Sequence, residues 1–517
     1  MGNDRRLAWI SAVAVASGSG LVAGLALPPL GWPWLLWPAL AVLWGRAGSP
    51  PVPSGSPPAP LGGLLWGLAA VLVSHRWLLW LHPLDWIGVP GPLSLPLCLL
   101  LWLLCGVLGG LLVMGWSALV RWLDPARPST ALIGACLWGL AEVALSGGPL
   151  FWLGLGASAL PGDGALAGVA ALGGAGMIAA LQLLVGWCLW RALALPLQRR
   201  CWGAVAVALV VAAHLAGEAA LARAPGPAGP PQRLLVLQPA IPTRSKFEDR
   251  QQQRLLSLLA SAQRLAAGGE GPDPAGPDPG SPARAAALLL PEGSLVTGQP
   301  LPLPAGGEVL SGGFRRQGEE QRSSVLRFGP GRRLAGGWID KHRVVPLGEW
   351  VPLAGLLRWS GLSAVGGIEP GPPSRLLPRP AGPIGVAICY EISDGAALAA
   401  ATRAGAQWLL ATANLDPYPL QLQGQFLALA RLRAIETGRW LVSAANTGPS
   451  VLVDGRGRLR AQLPPFTATT GWMGVEPGTA LTPYTRWGEA PLLALLLGAG
   501  LVRLRKVQGS GSGSPPP

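Results

Sequence analysis

Three segments carry the residue types that nucleophilic chemistry needs. "LLLPEGS" delivers Glu292 after an apolar run, "WIDKHRVVPLGEWVP" holds Lys341 and Glu349, and "IGVAICYEIS" ends an apolar stretch at Cys389, with Tyr390 and Glu391 next to it. The thiolate is the attacking form of cysteine, so a catalytic Cys requires a base to take its proton or a cation to hold its charge. Histidine is the usual partner, and the polar part of the chain has only His342, beside Lys341. A carboxylate therefore enters as the base. Glu292 would accept the Cys389 proton and return it to the leaving group, while the Lys341 ammonium steadies the thiolate and a developing oxyanion. Taken singly, each residue has a plainer explanation: an inert buried Cys, a loop carboxylate, a solvated Lys, ordinary ion pairs at Glu349 and Glu391. Their coincidence at strand ends outweighs those readings. Lysine is also scarce, since Lys246, Lys341 and Lys506 are the only ones among 39 basic residues.

Elements that could position these groups follow from pattern. "RLLVLQPAI", "AAALLLPEG", "EVLSGGF", "SSVLRFG", "GVAICYE", "QWLLATANL", "WLVSAANTG" and "SVLVDGRGRL" read as strands, and residues 248–267, 394–404 and 420–437 as helices. The alternation predicts an α/β domain whose site lies just beyond the strand ends. Cys389 stands at a strand, sharp turn and helix. It has no evident disulfide partner in this domain and is expected to be a free thiol, whereas Cys98, Cys105, Cys136, Cys188 and Cys201 lie within or at the edge of apolar runs.

The rest of the chain belongs to another environment. Half of the 517 residues are hydrophobic and 12% are charged, about half the share expected of a soluble protein. A membrane span needs roughly 20 mostly apolar residues, and eight candidates occur: 7–27, 30–46, 61–82, 95–120, 130–150, 165–190, 202–222 and 487–503. The predicted organisation is seven spans over 1–222, a polar α/β domain over 223–486, an eighth span over 487–503 and a tail over 504–517. Arginines and Lys506 cluster on one side of the spans, and "ALPPLGWP", "LHPLDWIGVPGP" and "SGGPLFWLGLGASALPGDG" on the other side have none. The positive-inside rule then puts both termini in the cytoplasm and the α/β domain outside it. The formal net charge of +14 does not imply nucleic acid, because the basic residues are scattered singly or in pairs. Pro, Gly and Ser clusters mark linkers and an insertion at 267–284.

In that order, "LLLPEGS", "DKHRVVPLGEWVP" and "ICYEIS" resemble the Glu-Lys-Cys signature of the nitrilase (carbon-nitrogen hydrolase) superfamily. The preceding spans, "GQFLALARLRAIETGRWLVSAANTG", "LTPYTRWGEAP" and the last span are similar to its membrane branch, the apolipoprotein N-acyltransferase family. The resemblance implies an α-β-β-α sandwich on a multi-span inner-membrane bundle. It implies Glu292 as general base, Lys341 as oxyanion stabiliser and Cys389 as nucleophile, with Glu349, Tyr390, Glu391 and Asn414 in support. It further implies transfer of an acyl chain from a phospholipid, through a thioester, to the α-amino group of a diacylated prolipoprotein, by a monomer without metal or nucleotide. "TANLDPYP" keeps Asn414 but lacks an aromatic pair common in the family.

An apolar, Gly-rich stretch at 351–373 is expected to act as a flap that dips into the outer leaflet. Two rival readings remain: a membrane-tethered amidase that passes the acyl group to water, and a transporter. The latter expects ionisable groups at mid-membrane, where the chain offers only Arg76, Glu142 and Glu218.

Overall fold

The computed structural model describes residues 3–48, 58–84, 89–246, 248–268, 285–318, 320–346, 349 and 367–510. Most of the expected flap (351–366) and of the insertion (269–284) lies outside these described residues.

Every predicted span coincides with a helix. The first nine helices are α1 (Asn3–Ala26), α2 (Pro33–Gly48), α3 (Ala59–Ser74), α4 (Gly91–Trp122), α5 (Pro128–Ser146), the short α6 (Gly164–Ala167), α7 (Ala170–Ala194), α8 (Arg199–Ala222) and α9 (Asp249–Ala266). After them come α10 (Gly395–Arg403), α11 (Leu420–Thr437), α12 (Pro483–Trp487) and α13 (Ala490–Ser510). Five of these, from α1, α4, α5, α7 and α8, are long and apolar enough to cross a membrane. The third predicted span is shorter as an α-helix than expected, because the chain tightens into a 3-10 turn, Arg76–Leu81. The fifth ends at Ser146, where Gly147, Gly148 and Pro149 follow, and α7 breaks at Gly173–Gly174. Exposed leucines and valines run along α4 (Leu99, Leu103, Leu108), α8 (Val207, Val211, Leu215) and α13 (Leu497, Leu501). Bands of that kind need a hydrocarbon solvent.

Inside the bundle, buried tryptophans supply bulk, and two of them, Trp44 and Trp116, bond their indole N–H groups to backbone oxygens. Trp44 donates to Leu183 O at 3.0 Å and Trp116 to Gly134 O at 2.8 Å, and the two rings meet edge-on at 4.8 Å. A buried indole without such a partner would incur a desolvation cost.

The α/β part has two six-stranded sheets. The first orders as β12-β1-β2-β3-β4-β5, built from Thr469–Val475, Gln232–Gln238, Ala287–Val296, Glu308–Gln317, Glu320–Phe328 and Gly337–Asp340. The second orders as β11-β10-β9-β8-β7-β6, from Leu459–Gln462, Val451–Val453, Leu441–Ala445, Leu409–Ala413, Ile384–Ile388 and Leu376–Leu377. Parallel pairs at the centre (β1, β2 and β3; β7, β8 and β9) are flanked by antiparallel ones. The central strands are buried along both faces, as parallel strands between layers must be.

Val236, Leu289 and Leu310 face Val386, Leu410 and Val442 between the sheets. Helix α9 covers the first sheet through Leu259, Ala262 and Ala266. On the outer face of the second lie α10 and α11, whose Leu398, Phe426 and Leu432 belong to the same apolar cluster as Trp44, Trp66 and Ile178 of the bundle. Helix α11 is therefore buried almost all round, with the sheet on one side and the bundle on the other. Phe426 stacks on Phe151 at 5.7 Å, and Gln425 donates to Ser74 O at 2.8 Å.

Candidate active site

Three strands, β5, β7 and β8, end at one rim of the sandwich and a fourth, β2, breaks its ladder there, and each presents a polar residue. The register of β2 against β3 breaks between Leu290 and Leu295, which swings Glu292 out of the ladder. Gly312 of β3 makes this possible: a Cβ there would lie 2.4 Å from the Glu292 Cα. Strand β5 stops at Asp340, so Lys341 is the next residue, and β8 stops before Asn414. Strand β7 stops at Ile388, and Cys389 opens a 3-10 turn, Cys389–Ser393, with φ +55°. A non-glycine residue in the left-handed region costs roughly 1–2 kcal/mol, and the turn aims the thiol out of the strand.

Lys341 is fully buried, with Nζ 3.1 Å from Glu292 Oε1 and 2.8 Å from Glu349 Oε1. Burial alone would weaken its hold on a proton, but the Glu292 and Glu349 carboxylates outweigh that and keep it an ammonium, well above the usual lysine range. Cys389 is half-buried and free. Burial and the Glu292 charge push its thiol well above the ordinary value; Lys341 pulls down, Glu349 pushes up, and the Tyr390 N–H pulls down. The resting sulfur is thus a thiol, which would need a base to take its proton before it could attack. Burial also raises Glu349, with Lys341 opposing.

The supporting residues divide by what they touch. Tyr390 lies under the cation, with the Lys341 Nζ 5.5 Å from its ring centre, and donates its hydroxyl to Val344 O at 3.0 Å. Glu391 engages backbone N–H groups and an arginine instead. Its carboxylate accepts N–H bonds from His342 (2.8 Å), Arg343 (3.0 Å) and Ile388 (2.9 Å) and pairs with Arg375 at 3.0 Å. It therefore clamps the residues after Lys341 to the end of the strand before Cys389. Asn414 donates its backbone N–H to Glu292 Oε2 at 3.2 Å, and its side chain is fixed by Thr243 (2.7 Å) and Asn446 (2.8 Å).

Sequence reading missed three contributors. Lys246 is buried and donates to the backbone oxygen of Glu292 at 3.0 Å. Its neighbour Gly293, at φ +69°, leaves room for it, since a Cβ there would meet Nζ at 2.8 Å. Burial lowers Lys246 to about 8 against the raising pull of Glu292 and Asp416. The scarcity of lysine in the sequence was the signal that could have found it. Arg343 lies with its guanidinium carbon 4.4 Å from the Tyr390 ring centre and bonds Ser393 Oγ at 3.1 Å. Tyr418 meets Trp77 of the bundle edge-on at 5.4 Å, and burial pushes its hydroxyl well above the ordinary tyrosine range. Among the described residues no cluster of His, Cys, Asp or Glu could hold a metal ion.

Residues 19–188 match the model of the apolipoprotein N-acyltransferase N-terminal domain, and residues 368–479, which include Cys389, match carbon-nitrogen hydrolase. An apolipoprotein N-acyltransferase from Prochlorococcus marinus (strain MIT 9313) is 47% identical, covering 98% of this chain and 98% of that relative. One from Parasynechococcus marenigrum (strain WH8102) is also 47% identical, over 90% of this chain and 95% of that one. Among solved structures, Saccharomyces cerevisiae Nit3, a member of branch 10 of the nitrilase superfamily, aligns with 48% of this chain and 90% of its own at 14% identity and a TM-score of 0.34. With near-full-length relatives at this identity, the chain belongs to the apolipoprotein N-acyltransferase family.

Proposed function

We propose that this chain takes an acyl group from a membrane phospholipid onto Cys389 as a thioester and passes it to the α-amino group of a diacylglyceryl-cysteine at the start of a lipoprotein. In the first half-reaction Glu292 accepts the thiol proton as Sγ attacks the ester carbonyl carbon. The Lys341 ammonium stabilises the resulting oxyanion. Collapse expels the lysophospholipid oxygen, which takes the proton back from Glu292. In the second, Glu292 accepts a proton from the attacking amine, and the departing Cys389 sulfur recovers it. Glu349 keeps Lys341 charged and in place, Tyr390 and Glu391 fix the turn, and Asn414 orients Glu292.

The observation that carries this reading is the Lys341 ammonium held against Glu292 at 3.1 Å within the field of a half-buried thiol, on a rim that packs against the bundle through Tyr418 and Trp77. The reading includes eight crossings, the sandwich over 223–486 on the extracytoplasmic side, both termini in the cytoplasm of an inner-membrane protein, and a monomeric enzyme. It also includes the 351–373 flap, proposed from its composition. A soluble amidase would gain nothing from packing its site against apolar helices.

Incubation with labelled phospholipid and a diacylated lipopeptide tests it. Amide formation with release of lysophospholipid is the expected result, with Cys389→Ser folded but unlabelled. Free fatty acid as the sole acyl product would replace this reading with the tethered amidase.

A further inference from the structure

Cys389 stands in the left-handed backbone region, at φ +55°, a conformation that persists only where the surroundings over-determine it. The turn that it opens, Cys389–Ser393, must therefore be held at both ends. At the entrance the Glu391 carboxylate accepts the Ile388 N–H. At the exit the Ser393 carbonyl oxygen accepts a bond from Nη1 of Arg433 at 2.8 Å. Arg433 belongs to α11 and is 3% exposed. Gly395, just past the turn, lets it approach: a Cβ there would overlap both the Arg433 guanidinium and the Glu436 carboxylate.

The guanidinium is fixed in its turn. Nη2 donates to Glu436 Oε1 at 2.8 Å, and the same oxygen accepts the N–H of Ala175 at 3.0 Å. The break in α7 at Gly173–Gly174 leaves that N–H to be met from outside its own helix. Tyr484 of "LTPYTRWG" packs into the break, where Gly174, at φ +72°, has no Cβ to obstruct the ring. A path of short contacts thus runs from α7 through Glu436 and Arg433 to the last residue of the Cys389 turn. A buried ion pair can often be replaced by apolar residues without loss of stability, so the stability of α11 does not account for this one.

We propose that Arg433 is a positioning residue for the nucleophile. Anchored by Glu436 to the break in α7, it fixes the exit of the turn and with it the aim of the Cys389 thiol toward Glu292 and Lys341. It acts through Ser393 and touches neither substrate nor the reacting atoms. The proposal rests on the role given above to Cys389, but not on which lipid supplies the acyl group or which amine receives it.

The p-nitrophenolate burst from p-nitrophenyl butyrate, measured on the full chain in detergent, reads acylation of Cys389 without phospholipid or lipoprotein. Arg433→Lys keeps a charge opposite Glu436, but one ammonium cannot reproduce the two-nitrogen span to Glu436 and Ser393. The double variant Arg433→Met/Glu436→Gln removes both buried charges and leaves an acceptor for Ala175. Both should fold, as read by thermal midpoint, and both should lower the saturating burst rate constant roughly tenfold or more, with the half-saturating ester concentration unchanged. Arg439, buried just past α11 and bonded to Ala406 O and Ala480 O, supplies the contrast: Arg439→Lys should lower the thermal midpoint without slowing the burst. A wild-type rate constant in either folded variant, an effect confined to the half-saturating concentration, a burst slowed equally by Arg439→Lys, or failure of Arg433→Lys to fold overturns the proposal. A burst that survives Cys389→Ser would overturn the proposed function itself, a failure distinct from any of these.

Discussion

Arg343 grips the carbonyl oxygen of Gly148 with Nε at 2.9 Å and Nη2 at 2.6 Å. The segment after Lys341 is thereby fastened to the end of α5. Ser393, at the far side of the Cys389 turn, donates to Ser146 O at 2.9 Å and repeats the connection. A bundle helix thus helps set the distance between the ammonium and the thiol. Arg343→Gln should lower kcat by roughly tenfold or more, about 1.4 kcal/mol of barrier, with KM little changed. Arg343→Lys should restore only part of the rate, because an ammonium cannot reproduce the two-nitrogen grip.

The Cys389 thiol separates two effects that activity assays merge. Burial and Glu292 raise it, and Lys341 lowers it. Removing the Glu292 charge should therefore increase the thiolate fraction at pH 8. Glu292→Gln is expected to react faster with iodoacetamide than wild type while losing acyl transfer, whereas Lys341→Met should lose both. In wild type the alkylation rate should keep rising beyond pH 9 without a plateau. A plateau near pH 7 would mean a preformed thiolate and no need of a base.

Lys246 predicts a pH dependence of stability. Burial brings it to about 8 from an ordinary 10.5. Between those values the unfolded chain binds more protons than the folded one, so stability rises with pH across this window. Below about 8 the folded state carries the full penalty of a buried ammonium, on the order of 3 kcal/mol. Raising the pH from 8 to 10 should lift the thermal midpoint of wild type relative to Lys246→Met, as read by differential scanning fluorimetry in detergent. The variant should also lose acyl transfer as Glu292 drifts from Asn414.

Gly312 offers a steric test. With a Cβ 2.4 Å from the Glu292 Cα, Gly312→Ala must shift β2 or β3, at a cost of roughly 1–3 kcal/mol, and transfer should collapse with it. Gly474→Ala, on β12 of the same sheet with open space around its Cβ position, should change neither stability nor rate.

Much of this organisation was written locally. The eight apolar segments became helices because each holds enough hydrocarbon in one run, and Lys341 and Cys389 stand at strand ends where apolar pattern stops; Glu292, expected at a strand end, lies instead at an irregularity inside β2, which resumes its pairing at Leu295. Less legible were elements defined by distant partners. Strand β12 pairs with β1 across more than two hundred residues, Val475 opposite Gln232, and its "TTGWMGV" has no strong alternation. "SVLVDGRGRL", read as one strand, folds back at Asp454–Gly457 into the β10–β11 hairpin. Glu391 was read as a supporting residue, but nothing in its surroundings announced its pairing with Arg375, a choice set by the closed sheet. Lys246 and Arg343 act through backbone oxygens of distant segments, contacts that no side-chain pattern encodes.

Helix α11, wedged between sheet and bundle, is buried along nearly its whole length beyond the exposed Leu420 at its start. The reactive half cannot then be cut loose as a free-standing module: detached, it would bare Phe426 and its neighbours and self-associate. Recombination that exchanged one half for a homologue's would have to carry matching residues in both, and heat should melt the two in a single cooperative step.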